Sequence, residues 1–120
     1  MGKYTLVIGA SEKPERYSNK AIRKLKQHGH QIAAIGNRTG NVEGIPFSHE
    51  KKLFENIDTV TLYIGPAHQT EYIDYVISLK PKRIIFNPGT ENDELMALAA
   101  EKNIATTEAC TLVMLSTNQY

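Results

Sequence analysis

Residues 4–29, YTLVIGASEKPERYSNKAIRKLKQHG, run through a strand, a loop and a helix in that order. Leu6-Val7-Ile8 is apolar at consecutive rather than alternate positions, which marks a strand covered on both faces and set inside a parallel sheet. Gly9-Ala10-Ser11 breaks the strand. A polar loop containing Arg16 then leads to Ser18, the expected cap of a helix that ends near His28, with Gly29 as its left-handed terminus. Ile22 and Leu25 share the inner face of that helix. A strand feeding a helix in this way brings free backbone N–H groups and the positive end of the helix dipole to one point, where a phosphate is held.

The same alternation continues downstream. Gln31–Ile35 is a second buried strand, closed by the turn-rich Gly36–Gly40. Val42–Phe47 holds at most a short edge strand, because Pro46 has no N–H for an interior ladder, and Lys51–Glu55 reads as a helical turn. Thr59–Ile64 is a strand that Gly65-Pro66 separates from a helix over Ala67–Leu79, which Lys80-Pro81 stops. Arg83–Phe86 runs into Asn87-Pro88-Gly89-Thr90, and Thr90 is the expected cap of the next helix, with Asp93 at its third position. Ile104–Thr106 is a last short strand, and Cys110–Leu115 is apolar enough to pack as a helix on the sheet or on another subunit.

Strands alternating with helices predict an α/β, Rossmann-like three-layer fold. The expected sheet is mostly parallel, with five to six strands ordered about 3-2-1-4-5-6 and helices on both faces. Residues 1–120 read as one domain, the size at which a single core closes. In such a sheet a ligand lies beyond the carboxyl ends of the strands at the switch point. Four loops converge there: Gly9–Ser18, Gly36–Gly40, Gly65–His68 and Asn87–Thr90.

Composition narrows the partners. Fourteen Lys and Arg against thirteen Asp and Glu leave a formal charge of +1, so no global field recruits nucleic acid or an anionic membrane, and anion recognition is local. No apolar run approaches the roughly 18 residues of a membrane helix, and no secretory leader is visible, so a cytoplasmic location is expected. The single Cys110 excludes an internal disulfide framework and a cysteine-based zinc site, in keeping with a reducing compartment.

The loops themselves select among nucleotides. GASEKP lacks the second and third glycines of a dinucleotide fingerprint, which disfavours a tight NAD pyrophosphate turn. Gly36-Asn37-Arg38 ends the second strand where an NAD site needs a ribose-binding acid, and Arg38 suits a phosphate on the ribose instead. The residues thus point to a phosphorylated adenosine such as coenzyme A or NADP. Arg16 and Lys20 flank the first helix start, whereas Glu91, Asp93 and Glu94 crowd the helix after Gly89, so the pyrophosphate belongs at Ser11–Asn19. Glu12 and Glu15 share that loop and must turn to solvent for this reading to hold; a merely solvated basic surface is the competing account of Lys13, Arg16 and Lys20.

VIGAS, the Arg16 and Ser18 pairing, DTVTLYIGP, FNPGTEN with its following helix, and Cys110 after a short strand together resemble the small CoA-binding domain family. Its members are similar to the CoA-binding domain of the succinyl-CoA synthetase α subunit. The resemblance covers nearly the whole chain. It implies coenzyme A or an acyl-CoA with its adenosine near Gly36, Asn37 and Arg38. The pyrophosphate would then lie on Gly9, Ala10, Ser11 and the Arg16-Tyr17-Ser18 turn with Asn19, and the pantetheine would pass Ile64-Gly65-Pro66 and Asn87-Pro88-Gly89 toward Cys110. This chain departs from the family pattern at Asn37-Arg38, usually Asn-Pro, and at Tyr63-Ile64-Gly65-Pro66, usually Phe-Arg and a small polar turn. The synthetase's catalytic histidine lies in a domain that has no counterpart here.

Other chemistry is thinly supported. Cys110 reads as a reactive thiol or as a small buried hydrophobe. His68 is the best placed acid or base but has no carboxylate to orient it, and His28 and His30 point to different faces of an extended segment, a poor metal pair. No nucleophile triad, paired carboxylates or P-loop is present. The expectation is non-catalytic CoA binding, as a sensor or regulatory module. One alternative is an NADP-dependent oxidoreductase or a subunit of one. The other is a protein-interaction module docking through Leu112–Leu115, whether to a second copy or to another protein.

Overall fold

All four residues of β1 (Thr5–Ile8) are buried, and the strand sits inside the sheet as its apolar run requires. The computed structural model describes residues 2–120. On one side β1 pairs in parallel with β2 (Ile32–Ile35), and on the other with β5 (Thr59–Leu62), so that Val7 faces both Ala34 and Thr61. With β3 (Gly40–Val42), β4 (Ile45–Ser48), β6 (Arg83–Phe86) and β7 (Ala105–Glu108), the order is β3-β4-β2-β1-β5-β6-β7. Every pairing is parallel except β3 with β4.

Among the described residues the sheet therefore has seven strands rather than five or six. The extra strand arises because Val42–Phe47 is not one edge strand. Glu43 and Gly44 both adopt left-handed backbone, with φ of 49° and 88°, and close a two-residue hairpin of the type that matches strand twist. Its second arm, β4, lies inside the sheet against β2. Pro46 is tolerated there because it faces Asn41, one step beyond the turn pair Val42 and Ile45, and the ladder to β2 is registered only at Phe47 and Ser48.

The first helix, α1 (Tyr17–Gln27), begins before Ser18: Arg16 is its extended N-cap and makes no side-chain cap, and Ser18 is buried inside the first turn. Its end agrees with the sequence, with His28 as C-cap and Gly29 at φ 82°. The expected helix over Ala67–Leu79 is three pieces: α2 (Pro66–Gln69), a 3₁₀ turn (Thr70–Tyr72) and α3 (Ile73–Ser78). Gln69 is drawn inward, donating to the carbonyls of Ile64 at 3.0 Å and Thr90 at 2.7 Å, while Tyr72 and Ile73 turn into the core one step later. Asn92, not Thr90, caps α4 (Asp93–Glu101), accepting the N–H of Leu95 at 3.1 Å, so Asp93 is the first helical residue. Thr90 is unavailable because its hydroxyl and its N–H both donate to the Asn87 carbonyl.

Lys51–Glu55 forms no helical turn; it is a strap whose Phe54 packs on the core and whose Lys52 carbonyl accepts the Tyr75 hydroxyl. The last strand runs to Glu108, beyond the expected Thr106. Finally, α5 (Thr111–Ser116) packs beside α1, with Leu115 in the cluster of Val7, Ile22, Leu25, Ala34 and Phe47. The other sheet face buries Leu6, Ile8, Val60, Leu62, Ile84 and Phe86 against α3 and α4. The core thus has two layers of side chains and leaves the strand ends at one edge open.

Candidate ligand-binding cleft

Beyond the carboxyl ends of β1, β2, β5 and β6 lies a cleft of about 600 Å³. Its floor is the loop after β1. The N–H groups of Gly9 and Ala10 both donate to the Ile35 carbonyl, at 2.8 and 2.9 Å, which carries the chain sideways over β2. Gly9 accomplishes this at φ 103°, with the Tyr63 carbonyl 3.0 Å from where a Cβ would sit. Gly36 is equally constrained: a Cβ there would lie 2.4 Å from the Ala10 carbonyl oxygen. Asn19 reaches back from α1 and donates to the Ser11 carbonyl at 2.9 Å, and Arg23 does the same to Pro14 at 3.2 Å. The loop is held from both ends before any ligand arrives.

Tyr17 and Ser18 bring the start of α1 to the cleft wall. Because Arg16 makes no side-chain cap, the leading N–H groups of the helix are left without the acceptor that Ser or Asp would supply. Lys13, Arg16 and Arg38 add three cationic side chains to the lining. Uncapped helix N–H groups and converging cations are complementary to phosphate.

The opposite wall comes from the ends of β5 and β6, with Tyr63, Ile64, Pro88 and Thr90. Burial pushes the Tyr63 hydroxyl far above the ordinary tyrosine range, so it stays protonated. The Thr61 and Thr111 hydroxyls beside it bond to each other at 2.8 Å, and among the described residues the Tyr63 hydroxyl has no hydrogen-bond partner. Beneath this wall Asn87 is 3% exposed and fully engaged. Its amide donates to Thr61 Oγ1 at 2.7 Å and to the Leu62 carbonyl at 2.8 Å, and its Oδ1 accepts the N–H of Thr111 at 2.9 Å.

Of the residues expected from sequence, the structure brings Gly9, Ala10, Ser11, Arg16, Tyr17 and Ser18 to the cleft from the first loop. Asn37, Arg38, Ile64 and Pro88 join them from the other three strand ends. Asn19, Gly36 and Asn87 are buried behind the lining and hold the loops in place. Gly65, Pro66, Gly89 and Cys110 are not among the lining residues; Cys110 is partly buried as the N-cap of α5. His68 is exposed on α2, also off the lining.

Phe47 and Tyr63 line the cleft from outside the four expected loops, and Glu12, Lys13, Thr39 and Thr90 lie within those loops as further lining residues. Phe47 arrives with the hairpin, whose sequence signal is the Glu43-Gly44 turn. Glu12 is exposed, as the anion reading requires, and its Oε2 also accepts the N–H of Asn41 at 3.0 Å.

A family model described as a CoA binding domain matches residues 3–116. The chain belongs to the CoA-binding domain family. Membership carries the general property in that description, binding of coenzyme A. The crystal structure of an uncharacterized protein is 45% identical, with 100% of this chain and 99% of that one aligned at a TM-score of 0.97. A hypothetical protein from Pyrococcus horikoshii is 25% identical over 97% of this chain and 83% of its own, with a TM-score of 0.86. A Thermus thermophilus protein at 19% identity shares the fold, covering 99% of this chain and 91% of its own at a TM-score of 0.87. None of the curated proteins matches significantly. Among the described residues of this CoA-binding domain, no group of three or more His, Cys, Asp or Glu is arranged for a metal, and no helix is long and apolar enough to cross a membrane.

Proposed function

We propose that the cleft binds coenzyme A or a CoA thioester and catalyses no reaction of its own, acting as a cytoplasmic sensor or regulatory module. The observation that carries this reading is the uncapped start of α1, set in the same cleft as Lys13, Arg16 and Arg38. Its volume of about 600 Å³ falls within the span of roughly 300–1,000 Å³ that small-molecule sites occupy. The pyrophosphate lies on Ala10, Ser11 and the Arg16–Ser18 turn, with Lys13 beside it. Arg38 and Asn37 take the 3′-phosphate of the adenosine, and the pantetheine runs between Ile64 and Pro88. What supports non-catalytic action is that neither His68 nor Cys110, the acid/base and thiol candidates of the sequence, is among the lining residues.

Calorimetry and thermal shift with CoA, acetyl-CoA, 3′-dephospho-CoA, NADP and NAD test the reading. CoA at 100 times its Kd raises stability by about 2.7 kcal/mol and exceeds the other nucleotides. No shift with CoA at millimolar concentration refutes the reading. A larger shift with NADP favours an oxidoreductase subunit. Silence with every nucleotide, combined with a changed oligomeric state after truncation beyond Cys110, favours an interaction module.

A further inference from the structure

Glu12 is an acid where an anion site has least use for one. It crosses from the first loop to the β3–β4 hairpin, and its carboxylate is held there by the Asn41 N–H at 3.0 Å. A Cβ on Gly40 would lie 2.6 Å from Phe47 Cζ, 2.7 Å from Glu12 Cγ and 2.8 Å from Glu12 Cδ, so glycine leaves room there for both side chains. Asn41 occupies Oε2, and among the described residues no protein donor is recorded on Oε1. Glu12 shares the cleft lining with Asn37, Arg38 and Thr39, the residues that follow β2. Parallel sheets of this kind seat the ribose at the end of the second strand, where an acid accepts its hydroxyls. Here β2 ends in Gly36-Asn37-Arg38 and the acid comes from the loop after β1 instead.

Building on the proposed CoA site, we infer that Glu12 is the ribose-facing carboxylate, and that Glu12 and Arg38 together select a 3′-phosphorylated adenosine with a free 2′-hydroxyl. An ionised carboxylate only accepts hydrogen bonds, so the group opposite Oε1 must be a donor. A free 2′-hydroxyl is one. A phosphate at that position brings a second negative charge against the first, whereas a phosphate on the neighbouring 3′-oxygen meets the Arg38 guanidinium. CoA carries its phosphate on the 3′-oxygen and NADP on the 2′-oxygen, so the two side chains read which ribose oxygen is phosphorylated.

The test uses the two halves that differ only in this respect, adenosine 3′,5′-bisphosphate and adenosine 2′,5′-bisphosphate, each competing with CoA on the intact protein. The wild type binds the 3′,5′ isomer at least about tenfold more tightly, the scale of one charge repulsion at a partly screened site. Glu12→Gln keeps an amide oxygen for the Asn41 N–H, so the loop stays in place. The preference falls about fivefold or more, chiefly through tighter 2′,5′ binding. An unchanged preference in Glu12→Gln overturns the inference, as does equal binding of the two isomers by the wild type. Failure of CoA itself to bind the wild type is a separate result, and it removes the CoA reading and this one together.

Discussion

Replacing Asn87 with alanine separates a structural role from a ligand-binding one. The side chain is 3% exposed and makes three hydrogen bonds, to Thr61 Oγ1, the Leu62 carbonyl and the N–H of Thr111. In the alanine variant Thr61 still has Thr111 Oγ1 at 2.8 Å. The Leu62 carbonyl loses this donor, and the Thr111 N–H, first of α5, loses its acceptor. Each buried polar group left unpaired costs about 1–3 kcal/mol, so the two cost roughly 2–6 kcal/mol. A domain of this length has a total of roughly 6–18 kcal/mol. At about 4 °C per kcal/mol, a central loss of about 4 kcal/mol lowers Tm by about 15 °C. Guanidinium denaturation should show this as a lower midpoint at constant slope. A loss below about 1 kcal/mol would refute the reasoning. Intact stability with a large drop in CoA affinity would make Asn87 a ligand contact after all.

Arg16→Ala removes an exposed cation at the uncapped helix start; CoA should bind roughly 1.5–3 kcal/mol more weakly by calorimetry, with the unligated Tm unchanged. Leu115→Ala empties a fully buried site between α5, α1 and the sheet and should cost about 2–5 kcal/mol in urea denaturation, whereas Val113→Ala, at an exposed position, should cost little. His30 has its pKa lowered by burial first and by His28, Lys3 and Arg83 next, and its Nδ1 accepts the Lys3 N–H at 2.9 Å. The unfolded chain therefore binds the proton more readily. This contribution is fully present above about pH 6.5 and fades as the pH falls toward the lower folded value. Urea midpoints at pH 8 and pH 5.5 should differ more in the wild type than in His30→Gln.

The alternation of elements was legible because buried parallel strands carry unbroken apolar runs, as in Leu6-Val7-Ile8 and Ile84-Ile85-Phe86. The strand ends, and so the location of the cleft, followed from topology. Details of caps and breaks did not. Ser18 and Thr90 both have the chemistry of a helix cap, yet tertiary contacts bury one and turn the other's hydroxyl onto Asn87. Pro46 argued against an interior strand, but a hairpin register set by Glu43-Gly44 places it where no ladder bond is needed. Within the site, Asn19 reads as a ligand group because it lies in the phosphate-binding stretch, and Asn87 because the family resemblance runs the pantetheine past it. Only their distances to Ser11, Leu62 and Thr111 reveal them as braces. Glu12 was visible as a problem of charge, and its resting place depends on Gly40, twenty-eight residues away and paired through the hairpin.

β1 is shared by the two halves of the cleft: Thr5 is registered with Ile32 on one side and with Thr59 on the other. The second of these closures spans more than fifty residues of chain, and closing a loop of that length is an entropic cost met before its contacts repay it. During synthesis the segment through β4 therefore emerges with one edge of β1 unpaired until Thr59–Leu62 has left the ribosome and docked. The floor and far wall of the cleft meet only at that docking. A ligand bridging them holds the seam shut, and amide exchange at Leu6, Val7 and Ile8 should slow most of all when the cleft is filled.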